Sequence, residues 1–341
     1  MTQAALEHWA RDRGARPGGA RTFARYLLLR AAQRPEPARP SRSLLAACDL
    51  EEGLPEARAV LDADGTVRFA VTLCDGTVIE TVLIPHQSRW TVCVSSQAGC
   101  ARGCVFCETG RLGLRRNLEA FEIVAQYALA ARHLGQRPTN VVFMGMGEPL
   151  DNLEAVLSAI AILREPSGFA VPERRITIST VGIVPRMREV YLRTKAQVAV
   201  SLHALDAARR CALLPVARRW SLAELREAIA ACPSTVLLQW TLIAGVNDAD
   251  ADADELIAFC RGLSVRVNLI PLNPGPIETQ HAPSLQSCRA FQKRLLDGGI
   301  RTLLRMPHGR QIGGACGQLA GVSRRMDAGN DAPADRQMAV T

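Results

Sequence analysis

The stretch "SSQAGCARGCVFCETG", residues 95–110, decides how the rest of the chain is read. Its three cysteines, Cys100, Cys104 and Cys107, follow the spacing C-x3-C-x2-C, and no fourth cysteine lies at a comparable distance. A structural zinc site usually closes with four ligands. An electron-transfer iron–sulfur cubane usually takes four cysteines as well. Three thiols on one loop fit a four-iron cluster that leaves one iron open to a substrate or cofactor. The spacing points to catalysis, with a structural metal as the alternative.

Outward from this loop the texture is regular. From residue 90 onward, short apolar runs rich in β-branched residues alternate with helical stretches. The predicted strands are 91–96, 140–145, 175–180, 197–203, 235–243, 265–272 and 301–306. The predicted helices are 118–134, 151–164, 185–194, 221–231, 251–262 and 284–298. Such alternation gives βα units and a parallel sheet, so the fold class is α/β, a partial or full (β/α) barrel. Chemistry in such barrels sits at the C-terminal ends of the strands. The cysteine loop, Glu148, Ser179, His203 and Asn273 all fall there.

Upstream, "DADGT" (62–66) and "CDGT" (74–77) are turn signals within an alternating segment, which predicts a few antiparallel strands. A helix is expected over 20–33 and a linker at "RPEPARPSRS" (34–43). The expected organisation is a small N-terminal α+β domain over 1–86 that is a candidate for RNA binding, a catalytic domain over 87–322, and a disordered tail over 323–341.

The chain has 341 residues, 11 cysteines and a net charge of +8. Its first dozen residues are charged and precede no apolar core of a signal, and no apolar run approaches membrane-spanning length. A cytoplasmic protein without membrane attachment is expected. Cysteine-rich composition in that setting favours metal or redox chemistry over a disulfide scaffold. Nine arginines against one aspartate and one glutamate over residues 11–42 leave +7 of the charge near one end. That end suits a polyanion such as RNA, or is a solvated basic tail. Arg111, Arg115 and Arg116 after the cysteine loop meet phosphate or lie in a solvated loop.

The spacing of Cys100, Cys104 and Cys107, with the aromatic Phe106 before the last cysteine, is the signature of the radical S-adenosylmethionine (SAM) superfamily. "VVFMGMGEPLDN" (141–152) follows the next strand, with Glu148 one βα unit, 41 residues, beyond Cys107. Alone it would pass as an ordinary βα turn. After such a loop it resembles the element that binds the SAM amino group. Further stretches narrow the likeness: "CVSSQAGCARGCVFC", "GMGEPLDN", "ITISTVG", "VSLHA", "VNLIPLNP" and "GGACGQLAG" run in order. The chain resembles the radical SAM adenine-2 methyltransferases of ribosomal RNA and tRNA, and their adenine-8 relatives.

That resemblance implies a radical SAM barrel and two cofactors, a [4Fe-4S] cluster and SAM. By position, Cys100, Cys104 and Cys107 match the cluster ligands. Gly147, Glu148, Ser179, Ser201, Leu202, His203 and Asn273 match the SAM site. Cys316 matches the cysteine that carries the methyl group, and Cys93 matches a second catalytic cysteine. Glu80, thirteen residues before Cys93, matches a proton acceptor, with an exposed strand carboxylate as the alternative. Adenine C2 lies between two ring nitrogens and is too electron-poor to attack SAM. In the family a thiolate takes the methyl first, the methyl is converted to a carbon radical that adds to the ring, and a disulfide between the two cysteines frees the product. The implied partners are ribosomal RNA or tRNA and an electron donor such as flavodoxin or ferredoxin. A monomer is expected.

The sequence departs from the family in two places. Its first ninety residues match poorly, which opens the choice of RNA. "HGRQIGGACGQL" (308–319) is basic and glycine-rich where the family tends to be acidic. Two other readings stand beside the methyltransferase: an enzyme of this lineage with another nucleotide or a non-RNA substrate, and a non-catalytic iron–sulfur RNA-binding protein. Neither needs Cys93 and Cys316 together.

Overall fold

The computed structural model describes residues 3–12, 16, 54–166, 168–275, 277, 279–319 and 338–339. The predicted helix at 20–33, the linker and most of the arginine-rich segment lie outside the described residues. Helix α1 (Gln3–Asp12) is described, and its Arg11 is paired with Glu7 at 3.2 Å.

Four antiparallel strands come first: β1 (Glu56–Leu61), β2 (Val67–Thr72), β3 (Val78–His86) and β4 (Arg89–Cys93). Aspartates shape the first two turns: Asp64 Oδ1 accepts from the Thr66 N–H and Asp75 Oδ1 from the Thr77 N–H, both at 2.9 Å. On its other side β4 pairs in parallel with β7 (Asn140–Phe143). Parallel pairing continues through β8 (Ile176–Thr180), β9 (Gln197–Ser201), β10 (Val236–Leu242), β11 (Val265–Pro271) and β12 (Thr302–Leu304). Among the described residues the sheet has eleven strands in the order β12-β11-β10-β9-β8-β7-β4-β3-β2-β1-β13, with β13 at Met338–Ala339. Among the described residues the sheet does not close, so the barrel they form is partial. The antiparallel strands extend the same sheet across residue 86.

The helices between the parallel strands are α3 (Ala120–Leu134), α4 (Leu153–Arg164), α5 (Val184–Arg193), α7 (Leu222–Ala230), α8 (Asp250–Cys260) and α9 (Leu285–Asp297). Strand alternation sorts the side chains. On β8, Ile176 and Ile178 are fully buried in the hydrophobic core, whereas Thr177 and Ser179 are half-buried on the other face. The same alternation puts Asn140 and Val142 on the inner face of β7.

Three features differ from the sequence expectation. The first strand ends at Cys93, because the Gln126 side chain replaces a strand partner at Ser95, accepting from its N–H at 2.7 Å and donating to its carbonyl at 2.9 Å. The cysteine loop is flanked by a separate hairpin, β5 (Gln97–Cys100) with β6 (Gly113–Asn117), and by the short helix α2 (Glu108–Arg111). Gly99 is required in that hairpin. Its φ is +77°, and a Cβ there would stand 1.9 Å from the Gly113 carbonyl oxygen. A further helix, α6 (Ala207–Leu213), is started by Asp206, whose side chain accepts from the Arg209 N–H at 2.7 Å. Among the described residues no helix is long and apolar enough to cross a membrane.

Candidate active site

A cavity of about 150 Å³ opens at the C-terminal ends of the parallel strands. Its walls bring together most of the residues singled out from sequence: Cys100, Cys104, Cys107, Gly147, Glu148, Ser179, Ser201, His203, Asn273 and Cys316. They come from six different segments, and the barrel is what gathers them.

The cluster loop forms one wall. Burial pushes the Cys100 thiol up to about 12. Burial also raises Cys104 and Cys107, and neighbouring thiols add to both shifts. These thiols hold their protons until a strong cation displaces them. Among the described residues no three His, Cys, Asp or Glu side chains converge on a single metal ion. Ligands of a multi-iron cluster bind different irons and need not share one point, so three thiols on one wall are compatible with a cluster. Phe106 packs edge-on against the His203 ring, with centroids 4.9 Å apart.

Glu148 lines the same cavity. Its Oε1 accepts from the Leu150 N–H at 3.0 Å and its Oε2 from the Val181 N–H at 2.8 Å. Burial outweighs those bonds and raises its carboxyl to about 7. Gly147 has φ +99°, and a Cβ there would lie 2.6 Å from Gln97 Cβ, so no larger residue fits. Gln97 also accepts from the Glu148 N–H at 2.8 Å through its side-chain oxygen.

His203 has a φ of +58° in a buried position, a strained conformation for a side chain that must turn back into the cavity. Its Nδ1 accepts from the Thr241 N–H at 2.9 Å, so the proton of the neutral ring is on Nε2. Burial, with Arg210 nearby, lowers it to about 3, and it stays neutral. Asn247 fixes this turn: its Nδ2 donates to the carbonyls of His203 and Thr241, each at 2.7 Å.

Cys316 is exposed on a loop tied down on several sides. Asn273 Nδ2 donates to the Cys316 carbonyl at 3.0 Å. The Glu108 N–H donates to the Gly317 carbonyl at 2.7 Å, and Thr109 Oγ1 to that of Leu319 at 2.9 Å. Upstream, Asp64 Oδ2 on the β1–β2 turn accepts from the Gly309 N–H and pairs with His308 Nδ1, both at 3.1 Å. Arg310 Nε donates to Asn273 Oδ1 at 3.3 Å.

A second, smaller cavity of about 30 Å³ lies behind the first. Cys93 is on its wall, and so are Cys316, Met144, Ile270 and Asn273, which the two cavities share. Burial, with the Cys316 thiol adding, pushes Cys93 up to about 12. Both cysteines are free thiols.

Two expected residues stand apart from these walls. Leu202 is fully buried in the core, and its N–H donates to the Gln239 carbonyl at 3.0 Å. Glu80 is fully buried rather than exposed, in an ion pair with Arg68 at 3.3 Å. The β3–β4 register pairs Val82 with Cys93, so Glu80 shares the Cys93 face of the sheet one alternation away. Of the arginines after the cysteine loop, Arg116 is taken up by Asp75 at 2.7 Å and Glu122 at 2.8 Å. Gln239, Thr241, Met144, Asn247 and Arg305 were not found from sequence. Gln239 and Thr241 carried a usable signal, since they are alternate residues near the C-terminal end of a predicted inner strand.

Residues 94–259 match the radical SAM superfamily. A probable RNA methyltransferase from Sorangium cellulosum is 51% identical over 268 residues, covering 76% of this chain and 67% of that protein. The dual-specificity RNA methyltransferase RlmN of Syntrophobacter fumaroxidans is 46% identical over 262 residues, covering 75% and 77%. The chain belongs to the RlmN-type radical SAM methyltransferases. A crystal structure of a radical SAM methyltransferase from Sphaerobacter thermophilus superposes on this RlmN-type chain with a TM-score of 0.87 at 39% identity, covering 94% of this chain and 98% of that one. The family assignment makes the protein a SAM-dependent methyltransferase and implies a [4Fe-4S] cluster.

Proposed function

We propose that this protein methylates a ring carbon of adenine, C2 rather than C8, in ribosomal RNA or tRNA, through a methylated Cys316 and a transient protein–RNA bond. The observation that carries the reading is the position of Cys316 on the walls of both cavities, one with the cluster cysteines and Glu148, the other with Cys93. This shared position supports a reading in which one thiol takes a group on one side and meets a second thiol on the other. RNA as substrate is supported by the names of the relatives. An electron donor of the flavodoxin or ferredoxin class, a monomeric state and a cytoplasmic location belong to the same reading.

In this reading Cys100, Cys104 and Cys107 hold the cluster, and Glu148, Ser179, Ser201, His203 and Asn273 hold SAM, with Gly147 and Leu202 contributing backbone. When bound, these cofactors supply a methyl group and one-electron chemistry that makes a carbon radical from a methyl group. The chain does the rest. Glu148 offers a carboxylate to an ammonium group, and His203 offers its Nε2–H to an acceptor. Asn273 holds the Cys316 backbone while Cys316 carries the methyl group to the ring. The Cys93 thiolate attacks the Cys316 sulfur, the disulfide forms as the bond from that sulfur to the base-linked carbon breaks, and that carbon takes a proton to become the methyl group of the freed base. Glu80 is the carboxylate on the Cys93 face that accepts the ring proton, once its pair with Arg68 loosens.

Mass spectrometry of rRNA and tRNA nucleosides from a strain lacking the gene tests this directly. Loss of 2-methyladenosine is expected. Loss of the 8-methyl isomer alone would reassign the ring position, and an unchanged adenosine profile would remove RNA methylation from the reading.

The Glu148 carboxyl sets a pH dependence. Its ionised form attracts an ammonium, so affinity falls as pH drops through its raised value near 7. At pH 6, one unit below, about one carboxyl in eleven is ionised, and S-adenosylhomocysteine should bind the cluster-loaded protein roughly tenfold more weakly than at pH 8. Calorimetry at the two pH values checks this, and equal affinities would remove Glu148 from the amino-group site.

A further inference from the structure

Cys93 is an awkward nucleophile. Only the thiolate attacks a sulfur, and burial holds this thiol protonated. Among the described residues the guanidinium that lines the same cavity as Cys93 belongs to Arg305. Arg305 follows β12, where its N–H donates to the Leu269 carbonyl at 2.8 Å, and its side chain lines the Cys93 cavity. Its Nη1 lies 3.9 Å from Met144 Sδ, and the Met144 N–H donates to the Cys93 sulfur.

The other charges on the surrounding elements are engaged. Glu80 and Arg68, from β3 and β2, pair with each other. His308 pairs with Asp64, and Arg310 donates to Asn273 and to the Leu272 carbonyl. Among the described residues Arg305 has no carboxylate partner.

We propose that Arg305, with the Met144 N–H, forms an anion-stabilising corner that makes Cys93 the attacking thiolate in exchange at Cys316. Arg305 is a positioning residue that acts through Cys93. The inference rests on the two-cysteine reading above, but its chemistry can be followed without RNA.

Glutathione disulfide supplies the exchange. The Cys316 thiolate attacks it, forming a Cys316–glutathione disulfide and releasing one glutathione thiolate. The Cys93 thiolate then attacks the Cys316 sulfur. The Cys93–Cys316 bond forms, the bond to glutathione breaks, and the second glutathione leaves as a thiolate. The proton of Cys93 goes to solvent, and the two electrons accepted by glutathione disulfide come from the two protein thiols.

The test uses cluster-loaded protein under anaerobic conditions, acid-quenched and mapped by peptide mass spectrometry between pH 6.5 and 9.5. Parental protein, Arg305→Lys and Arg305→Met are compared at matched iron content and melting temperature. Arg305→Met should slow the intramolecular step tenfold or more at pH 7.5 and move its pH midpoint upward. Arg305→Lys should recover most of the rate, and glutathionylation of Cys316 should keep its rate throughout. Equal closure rates in all three proteins would overturn the proposal. So would a loss confined to RNA affinity, which would make Arg305 a phosphate contact. If the parental protein forms no Cys93–Cys316 disulfide, the two-cysteine reading fails on its own. The pH profile of Cys93 alkylation by iodoacetamide then decides Arg305, with an upward shift in Arg305→Met supporting the corner and an unchanged profile rejecting it.

Discussion

Replacing Cys93 with alanine is expected to leave the protein covalently attached to its RNA. Cys316 keeps its place on the wall shared by the two cavities, so under the proposed mechanism it should still accept the methyl group and deliver it to the ring. No second thiol then reaches the Cys316 sulfur, and release by disulfide formation stops. The product should run as a slow band on a denaturing gel, survive boiling and collapse on nuclease treatment. Cys316→Ala should give neither the band nor methylated RNA. Iron content should be unchanged in both variants. If Cys93→Ala turns over at the parental rate, Cys93 is a packing residue and the release step lies elsewhere.

The second large effect is expected at the cluster loop. Anaerobically reconstituted protein should hold about four irons per chain, and Cys104→Ala should hold none and cleave no SAM. Cys104, Cys100 and Cys107 share one wall, and removal of one thiol leaves two, which is too few to retain a cubane on one loop. Iron analysis and the visible absorption spectrum provide the check. A Cys104→Ala protein with an intact cluster would refute this ligand assignment.

The parts of the structure that were readable from sequence are those encoded locally. The βα alternation is a periodic signal, and six parallel pairings follow from it. The cysteine spacing is a pattern within eight residues. Ser201 and His203 lie on the cavity wall and Leu202 between them does not, because alternation turns its side chain to the opposite face. The β5–β6 hairpin escaped notice because "QAGC" and "GLRRN" show no alternation of apolar and polar residues. The smaller cavity was invisible for another reason. Cys93, Met144 and Arg305 lie on three strands or strand ends far apart in sequence, and only the sheet order brings them together. Arg68 and Glu80 are likewise partners across a hairpin. Nothing near Glu80 announces that its charge is already compensated.

The β3–β4 pairing seals the strand that carries Cys93. Five cross-strand partners run from Val82–Cys93 to His86–Arg89, so the strand that carries Cys93 is hydrogen-bonded on both sides and presents no raw edge to another chain. The same antiparallel unit reaches around through Asp64 to hold the loop before Cys316. An appendage that seals a sheet margin and steadies a catalytic loop is not an interchangeable module. Cutting the chain between the two parts would bare the backbone of β4 along one side and leave the loop before Cys316 without its Asp64 anchor, so the two are expected to fold and unfold together.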